Sequence, residues 1–389
     1  MRGGVAVLGA GGFVGARLLE MAALSGWTDV VPVVRAVRSV ARNAHLGLPH
    51  RFADAGHRES LERVLAGCDV VVNLTTGDPA DILRTTATIH DACRAAGVRL
   101  LVHLSSAVVY GQVDRPDLPD DAPPQLDHWM LYARQKGLAE NYLRARMADG
   151  RLTIVVLRPG LVWGPRSPWV LGPATELVRG AAWLVAGGHG VCNLIYVDNL
   201  IRGLDAVVTH PAPPAGFYHV ADDETTTWRA YYAALAAGLG VDWAGGVHEL
   251  PGDRFRPTLG DRLEVIQEWP AYKRLKSRLS DETRKAIKFQ IARLLGRDGS
   301  AAAGLGGPVV TRELWHLQST RHRLPTGKFR ATFGYQNRTS FADAMATSVA
   351  WLRFIGLAGP ERAASAAAGP VVAAAHPAPV AIAEAVRMR

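Results

Sequence analysis

A tyrosine and a lysine four positions apart are the residues in this sequence whose types and spacing most directly suggest acid–base chemistry. They are Tyr132 and Lys136 of the segment YARQK. On a helix, this spacing places both side chains on one face. A phenol with a pKa of ~10 is a poor acid–base catalyst at neutral pH, but a neighbouring ammonium stabilises the phenolate and lowers that pKa. The pair therefore predicts a tyrosine that exchanges a proton with a substrate oxygen.

A serine upstream supplies a third polar group. Ser106 lies in HLSSAVVYG, just after the apolar run that ends at Leu104. Its hydroxyl can hydrogen-bond the same substrate carbonyl or alcohol and orient it toward the tyrosine. The alternative is that Ser105 and Ser106 only terminate a strand. We favour the catalytic assignment, with Ser106, Tyr132 and Lys136 acting together.

A glycine-rich turn near the N-terminus has the spacing of a dinucleotide-binding site. Gly9, Gly12 and Gly15 lie in GAGGFVG, which follows an apolar strand directly and opens a helical pattern. Glycines at these positions allow a tight turn, close approach of a pyrophosphate and close helix–strand packing. Such turns also occur for packing alone. The location at the first strand–helix junction favours a cofactor site, in which we include Phe13 and Val14.

The residues after the second predicted strand bear on which dinucleotide binds. An acid there accepts hydrogen bonds from the ribose 2′-hydroxyl of NAD, whereas an arginine suits the 2′-phosphate of NADP. Here the strand, residues 30–34, is followed by Arg35 and Arg38, and no Asp or Glu occurs between Asp29 and Asp54. We therefore predict NADP as the preferred cofactor, with NAD held by backbone groups as the alternative. Asp54 follows a predicted third strand and either bonds the adenine amine or caps a helix.

The elements that must position these residues alternate between strand and helix. Strands are predicted at 5–8, 30–34, 69–74, 100–104, 153–157, 194–197 and 217–220, and helices at 14–24, 57–65, 81–96, 129–147 and 227–239. The early strands are nearly all apolar, as expected where helices cover both faces of a parallel sheet. Alternation with short connections predicts an α/β fold with right-handed crossovers.

Composition and length fit a globular enzyme. The 389 residues are 48% apolar and 20% charged, which excludes a wholly disordered chain, a collagen-like repeat and a coiled coil. The three cysteines form no CxxC pair and the histidines show no metal-ligand spacing, so no metal site is expected. With no signal peptide and no apolar run of about 18 residues, we expect a cytoplasmic protein.

The excess positive charge, formally +9, is concentrated in one segment. Residues 273–297 contain nine Lys or Arg against two Asp or Glu, and Ser280 can cap a helix over 281–295. This basic segment offers peripheral contact with an anionic membrane or covers a phosphate-bearing substrate; the alternative is a solvated lid helix. Nucleic acid is not expected as a partner, because no matching motif accompanies the charge. Residues 360–389 are Ala/Pro-rich and predicted to be disordered.

Together these motifs resemble the extended short-chain dehydrogenases/reductases, of the NAD-dependent epimerase/dehydratase type. The resemblance covers residues 4–245 and also rests on VVNLTTG, LRPGLVWGP and NLIYVDNL. It implies a Rossmann-type doubly wound parallel sheet, mainly in residues 1–158, and a smaller substrate-binding part, mainly in 159–359. It further implies hydride transfer at nicotinamide. The site residues that it implies are the catalytic Ser106, Tyr132 and Lys136 and the cofactor contacts Gly9, Gly12, Gly15, Arg35 and Asp54. We also count Tyr132 and Lys136 as cofactor contacts, since the lysine can hold the nicotinamide ribose.

Other aromatic and histidine residues are open to two interpretations. His103 lies mid-strand, so we expect it to be buried and hydrogen-bonded rather than catalytic. Trp163, Trp169 and Trp183 either line a substrate pocket or pack between the two parts of the chain. Tyr110 borders the active site in relatives, or else only packs.

Departures from the family pattern bear on the substrate. Family 4,6-dehydratases carry an acid pair where Ala107 and Val108 stand here, which disfavours dehydration. Nucleotide-sugar epimerases often have an asparagine at the position of Leu161 and an arginine near Cys192 and Asn193. Both differences disfavour a nucleotide diphosphate.

The motifs together predict an NAD(P)-dependent oxidoreductase or epimerase. We expect it to act on a hydroxyl or keto carbon of a sugar or sugar conjugate, with nucleotide-linked and lipid-linked sugars of a polysaccharide pathway as the candidates. The alternative substrate is a steroid-like or other hydrophobic alcohol or ketone, as in 3β-hydroxysteroid dehydrogenases. A non-catalytic NADP-sensing regulator is a further alternative. We also expect that the protein forms a homodimer.

Overall fold

The apolar runs of the sequence form one parallel sheet of seven strands. The computed structural model describes residues 3–25, 29–111, 113, 115–252, 255 and 310–357. From one edge to the other, the strands are β11 (Gly216–Val220), β6 (Thr153–Pro159), β5 (Leu100–Leu104), β4 (Cys68–Asn73), β1 (Gly4–Leu8), β2 (Val30–Val34) and β3 (Arg51–Phe52). The chain winds outward from β1 to β3 and then returns to β4 on the other side. Ligands of open α/β sheets bind beyond the carboxyl ends of the strands at such a reversal.

Helices cover both faces of this sheet. One face carries α1 (Phe13–Leu24) and α6 (Val197–Thr209), and the other carries α2 (Arg58–Leu65), α3 (Ile82–Ala95) and α4 (Leu131–Met147). Side chains alternate between the faces: Val70 and Val72 of β4 join the core beneath α1, whereas Val71 joins the core beneath α3. All three valines are at most 2% exposed. Two-sided burial, at about 1.5–3 kcal/mol for each such side chain, explains why the centre of the strand, residues 70–72, is apolar on both faces.

The later part of the chain packs shorter elements against the sheet edge. Its helices are α5 (Pro168–Val178), α7 (Trp228–Leu239), α8 (Trp243–Gly246), α9 (Arg312–Gln318), α10 (Gly327–Phe333) and α11 (Phe341–Phe354). Its strands pair two by two, β7 (Leu161–Trp163) with β10 (Leu194–Tyr196), β8 (Ala182–Val185) with β13 (Val247–Leu250), and β9 (Val191–Cys192) with β12 (Thr226–Thr227). Trp163 lies in this core with 0% exposure, so of its two interpretations packing is correct.

The predicted α/β fold is confirmed, and most element boundaries differ by one or two residues. The division at residue 158 stays a prediction; β11, from the later part, forms the edge strand next to β6. The predicted basic helix, residues 281–295, and the tail, residues 360–389, lie outside the described residues. Across the described ranges, no helix combines the length and apolarity needed to cross a bilayer.

Candidate active site

The glycine-rich turn between β1 and α1 has a backbone that only glycine fits. Gly9 has φ of 82°, in the left-handed region, and a Cβ on Gly15 would lie 2.3 Å from the Gly9 carbonyl oxygen. Gly12 caps α1 without a side-chain hydrogen bond, and the first turn of α1 carries no acid. The amide groups of that turn are therefore available to an anion, with the positive end of the helix dipole behind them.

A cavity of about 340 Å³ opens on one side of this turn, at the carboxyl ends of β1 to β4. Arg35 lines it from the end of β2 and is exposed. Asp54 lines it after β3, and its carboxylate accepts a hydrogen bond of 2.8 Å from the Gly56 amide. Arg38 is exposed on a short 3₁₀ turn and lines neither this cavity nor the next one described. The cofactor role of Arg38 thus stays a prediction without a contact to support it.

Arg84 is a cavity residue that the sequence analysis missed. It projects from the first turn of α3, is ion-paired with Asp81 at 3.0 Å, and donates to the Gly56 carbonyl at 3.3 Å. The only sequence signal was an arginine in the first turn of a helix that follows a strand. That position is at the binding edge of a parallel sheet, where a cation can meet a phosphate or an adenine ring.

A second cavity, of about 440 Å³, brings the three predicted catalytic residues together. Ser106, Tyr132 and Lys136 all line it, as do all the residues of the glycine turn that we assigned to the cofactor. Gly9 and Gly12 line both cavities. The two cavities therefore follow the carboxyl edge of the sheet on either side of the turn, an arrangement that suits a dinucleotide lying across the reversal point.

Lys136 is buried beneath this cavity. It is 1% exposed, and its ammonium donates a hydrogen bond of 2.8 Å to the carbonyl of Leu104. The ammonium nitrogen lies 5.9 Å from the centroid of the Tyr132 ring. Burial lowers the pKa of Lys136 to about 8, and the nearby Glu140 limits that decrease. The side chain remains mostly charged at neutral pH.

Tyr132 departs from the sequence-based expectation. Burial raises its pKa to about 12, and the negative charge of Glu313 adds to the increase. The prediction of a lowered phenol pKa is therefore wrong for the protein as described, because burial removes the water that would solvate the phenolate. The phenol is protonated at neutral pH, which is the form that donates a proton to a carbonyl oxygen.

Ser106 caps the turn that follows β5 and also lines the cavity, so its structural role is observed and its catalytic role stays a prediction. It precedes the 3₁₀ turn of residues 107–110, and its hydroxyl oxygen accepts a hydrogen bond of 3.3 Å from the amide of Val108. This bond uses an oxygen lone pair and not the hydroxyl proton. Ser106 thus ends the strand region and lines the cavity. Its hydroxyl proton remains available for donation to a substrate oxygen.

A buried polar network lies behind the catalytic helix. The guanidinium of Arg158 on β6 is ion-paired with Glu140 on α4, and both side chains are 0% exposed. Arg158 also donates to the carbonyls of Asp120 and Ala122, at 2.8 and 3.0 Å. Glu140 continues the four-residue spacing of Tyr132 and Lys136, a signal that the sequence analysis did not use. The ion pair holds α4 on β6 and so fixes the helix that carries Tyr132 and Lys136.

Tyr110 belongs to the same network, so it packs beside the catalytic turn without lining the cavity. Its hydroxyl donates to Nε2 of His219 at 2.8 Å and accepts from Arg158. Nδ1 of His219 faces the Pro325 carbonyl at 3.0 Å, which places the imidazole proton on Nδ1. Burial lowers the pKa of His219 to about 4, so the ring is neutral at pH 7.

The structure also distinguishes between the two interpretations that were open for His103, Trp169 and Trp183. His103 is 1% exposed, and its Nδ1 lies 3.0 Å from the Asn73 amide, which confirms the structural interpretation. Trp169 lines the catalytic cavity, whereas Trp183 packs on His248 with ring centroids 4.6 Å apart. Among the residues with described positions, no group of His, Cys, Asp and Glu is arranged to hold a metal ion.

Residues 5–221 match the NAD dependent epimerase/dehydratase family, more than half of the chain. The chain belongs to this family. The resemblance inferred from the motifs is therefore confirmed, and the protein is an enzyme of the extended short-chain dehydrogenase/reductase type that uses a nicotinamide dinucleotide.

Characterised relatives of this family member catalyse different reactions. A 3-diazoavenalumate denitrifying reductase of a Streptomyces species is 32% identical over 46% of this chain and 66% of its own, just under two thirds. A ketoreductase of a farnesyl-dihydroquinoline-1-oxide from Stigmatella aurantiaca is 26% identical over 66% of this chain and 79% of its own. A 4-epimerase of an undecaprenol-diphosphate-linked N-acetylglucosamine from Escherichia coli O157:H7 is 25% identical over 61% and 73%.

Solved structures agree on the fold. The dTDP-glucose 4,6-dehydratase DesIV of Streptomyces venezuelae, which contains NAD, superposes with a TM-score of 0.64 over 91% of this chain and 97% of its own. Its sequence is 21% identical, so the likeness shows the Rossmann-type fold alone. Together with the seven parallel strands, it confirms the predicted fold class.

Proposed function

We propose that this family member reduces the carbonyl group of a hydrophobic substrate, with NADPH as the preferred hydride donor. The observation that carries the proposal is the lining of the catalytic cavity. Its walls are mostly apolar and include Ala107, Val108, Val113, Leu161, Val162, Pro168, Trp169, Val191, Trp228 and Leu317. Such walls bind an apolar molecule by removing its surface from water.

The charges in this cavity argue against a nucleotide diphosphate. Of the described side chains that line it, Lys136 and Glu313 are the charged ones, and none is an arginine. Lys136 is buried and engaged with a backbone carbonyl, so it is poorly placed to pair with a diphosphate. Phosphate groups are recognised by accessible arginines, lysines and backbone amides. The cavity therefore supports the hydrophobic alternative over the predicted sugar conjugate.

The chain's own groups supply the acid and the orientation that a reduction needs. The bound dinucleotide supplies the hydride. Tyr132, protonated at neutral pH, donates its proton to the substrate oxygen, and the Ser106 hydroxyl donates a hydrogen bond to the same atom. Lys136 places a positive charge near the phenolate that forms and stabilises it until a proton from solvent restores the phenol. Both Tyr132 and Lys136 line the cavity, which supports catalysis over the NADP-sensing alternative.

The cofactor preference rests on the adenosine side. Arg35 lines the cavity there and is exposed, so its guanidinium can meet a 2′-phosphate. Asp54 stands after the next strand, beyond the position where an acid would accept bonds from the ribose. NADP over NAD is therefore part of the proposal.

A second candidate is epimerisation of a lipid-linked sugar, favoured by the likeness to the Escherichia coli 4-epimerase. Both reactions would use the same three residues. Net consumption of NADPH with a hydrophobic ketone supports reduction. Conversion of a lipid-linked sugar without net cofactor consumption supports epimerisation and would contradict the proposal.

Tyr132→Phe tests the catalytic assignment. We expect the rate of carbonyl reduction to fall by ~10²–10⁴-fold, because the variant lacks the donated proton. The dissociation constant for NADPH should change little. Tyr142→Phe is the matched control: it removes a hydroxyl from the same helix, one that contacts Asp91 at 3.3 Å outside the cavity. A Tyr132→Phe enzyme with more than about a tenth of the normal rate would refute the assignment.

A further inference from the structure

A tryptophan at the start of α5 forms part of the wall of the catalytic cavity. Trp169 lines this cavity and is half-buried, so part of its surface stays open to a ligand. The Ser167 hydroxyl accepts a hydrogen bond of 3.2 Å from the Trp169 amide and donates one of 2.9 Å to the Val162 carbonyl. The hydroxyl of the buried Tyr231 donates to the Trp169 carbonyl at 2.6 Å. These bonds fix the backbone of Trp169 on both sides and hold the residue in one place on the wall.

A second tryptophan orients the ring of Trp169. The rings of Trp169 and Trp228 meet edge to face, with their centroids 6.5 Å apart and their planes at 63°. This geometry lies within the range that aromatic pairs prefer. Trp228 is itself fixed, because it is 1% exposed and its indole donates to the Leu317 carbonyl at 3.1 Å. The Trp169 ring is therefore oriented before a substrate arrives, which lowers the entropy cost of binding against it.

Trp169 is the aromatic residue of this cavity to which no other role has been assigned. The described lining contains four aromatic residues, Phe13, Tyr132, Trp169 and Trp228. Phe13 lies in the turn assigned to the cofactor, Tyr132 is the proposed acid, and Trp228 is almost wholly buried. The other apolar walls of the cavity are aliphatic. An aromatic ring of a substrate would therefore find its aromatic partner in Trp169.

We propose that Trp169 is a specificity-determining residue that favours carbonyl compounds in which an aromatic ring adjoins the reacting carbonyl. Because Ser106 and Tyr132 line the same cavity, one molecule can present its carbonyl to these hydroxyls and its ring to the indole. The attraction between two π-systems adds to the burial of apolar surface, which a saturated ring would gain as well. This inference deepens the proposed function and rests on it. Within the hydrophobic carbonyl compounds, it assigns aryl ketones and aryl aldehydes as the substrate class.

Acetophenone and cyclohexyl methyl ketone test this choice, because they share one carbon skeleton and differ in the saturation of the ring. Both would be titrated against the complex of the enzyme with NADP⁺, which cannot reduce them, and followed by ligand-observed NMR. In the parent enzyme we expect acetophenone to bind about two- to tenfold more tightly, the contribution of one aromatic pair. In Trp169→Leu this preference should disappear, so that the two dissociation constants become equal within error.

Two further variants separate recognition of the ring from a general effect of losing a tryptophan. Trp169→Phe keeps an aromatic ring and should retain part of the preference for acetophenone. Trp183→Leu removes a half-buried tryptophan that packs on His248 outside the cavity, and its preference should equal that of the parent enzyme. The dissociation constant for NADP⁺, measured for each variant, reports whether the fold is intact.

Equal binding of the two ketones by the parent enzyme, or an unchanged preference in Trp169→Leu, would overturn the assignment of Trp169 and leave the hydrophobic substrate class standing. The comparison in the parent enzyme decides the first point even where a variant folds poorly. Failure of both ketones to bind the parent enzyme would contradict the hydrophobic substrate class, and with it this inference.

Discussion

Neutralising Glu140 should weaken the fold more than any comparable change on the surface. Glu140→Gln keeps the shape of the side chain and removes the charge that faces Arg158. In the parent protein Nε of Arg158 lies 3.1 Å from both carboxylate oxygens, and Nη2 lies 2.5 Å from one of them. The variant would leave a guanidinium with 0% exposure and no anionic partner in this network.

The expected cost follows from that burial. Removing one partner of a buried ion pair typically costs about 3–5 kcal/mol, because the remaining charge has lost both water and its partner. The carbonyls of Asp120 and Ala122 still accept from Arg158, which favours the lower end, about 3 kcal/mol. This is a large share of a typical stability of about 5–15 kcal/mol. At about 1–2 °C per kcal/mol for a chain of this length, the melting temperature should fall by roughly 3–6 °C.

Thermal and urea unfolding, followed by tryptophan fluorescence, would measure the effect. Glu62→Gln is the matched control: it breaks an ion pair of 2.6 Å with Arg58 on the surface of α2 and should leave the midpoint unchanged within error. In an Arg158→Met background, Glu140→Gln should cost almost nothing, since the carboxylate has already lost its partner. A Glu140→Gln midpoint within about 2 °C of the Glu62→Gln midpoint would refute the argument.

Two further predictions concern the cofactor and the catalytic lysine. Arg35→Ala should weaken NADP binding by about 10- to 150-fold and NAD binding far less, as a lost charge-assisted bond to phosphate predicts. Titration of both cofactors measures this, with Arg58→Ala on α2, outside both cavities, as the control. Equal affinities of the parent protein for NADP and NAD would contradict the preference. Lys136→Met should abolish turnover without destabilising the fold at pH 7.5, because burial lowers the lysine pKa from 10.5 to about 8, a penalty of roughly 3 kcal/mol. Between pH 8 and 10.5 the unfolded chain binds the proton that folded Lys136 has lost, so the free energy of unfolding of the parent should rise with pH relative to that of the variant. Thermal melts of both proteins at pH 7.5 and pH 10 measure this. The same difference in melting temperature between parent and variant at both pH values would disprove the burial effect.

Patterns within single elements were enough to predict the sheet, the glycine turn and the three polar residues that line one cavity. The run DVVVNL predicts a strand buried on both faces, because successive side chains point in opposite directions and the three central ones are all valine. The spacing of Tyr132 and Lys136 places them on one helix face whatever surrounds that helix. Gly9 and Gly15 mark the turn, because the left-handed backbone and the 2.3 Å approach are local requirements.

Only the tertiary structure decided the charges and environments around those residues. Glu313 and Tyr132 are distant in the sequence, and no periodicity connects them; packing of α9 brings both to one cavity. The sequence analysis predicted a lowered phenol pKa for Tyr132 from one neighbour, whereas burial by many residues raises it to about 12. The partner of Glu140 was equally hidden, because Arg158 lies on a strand that reaches α4 only in the assembled sheet. Side-chain spacing is a property of one element, whereas solvation and long-range charge depend on the elements packed around it. The sequence was therefore enough to predict the reaction class, but not the environment of the substrate.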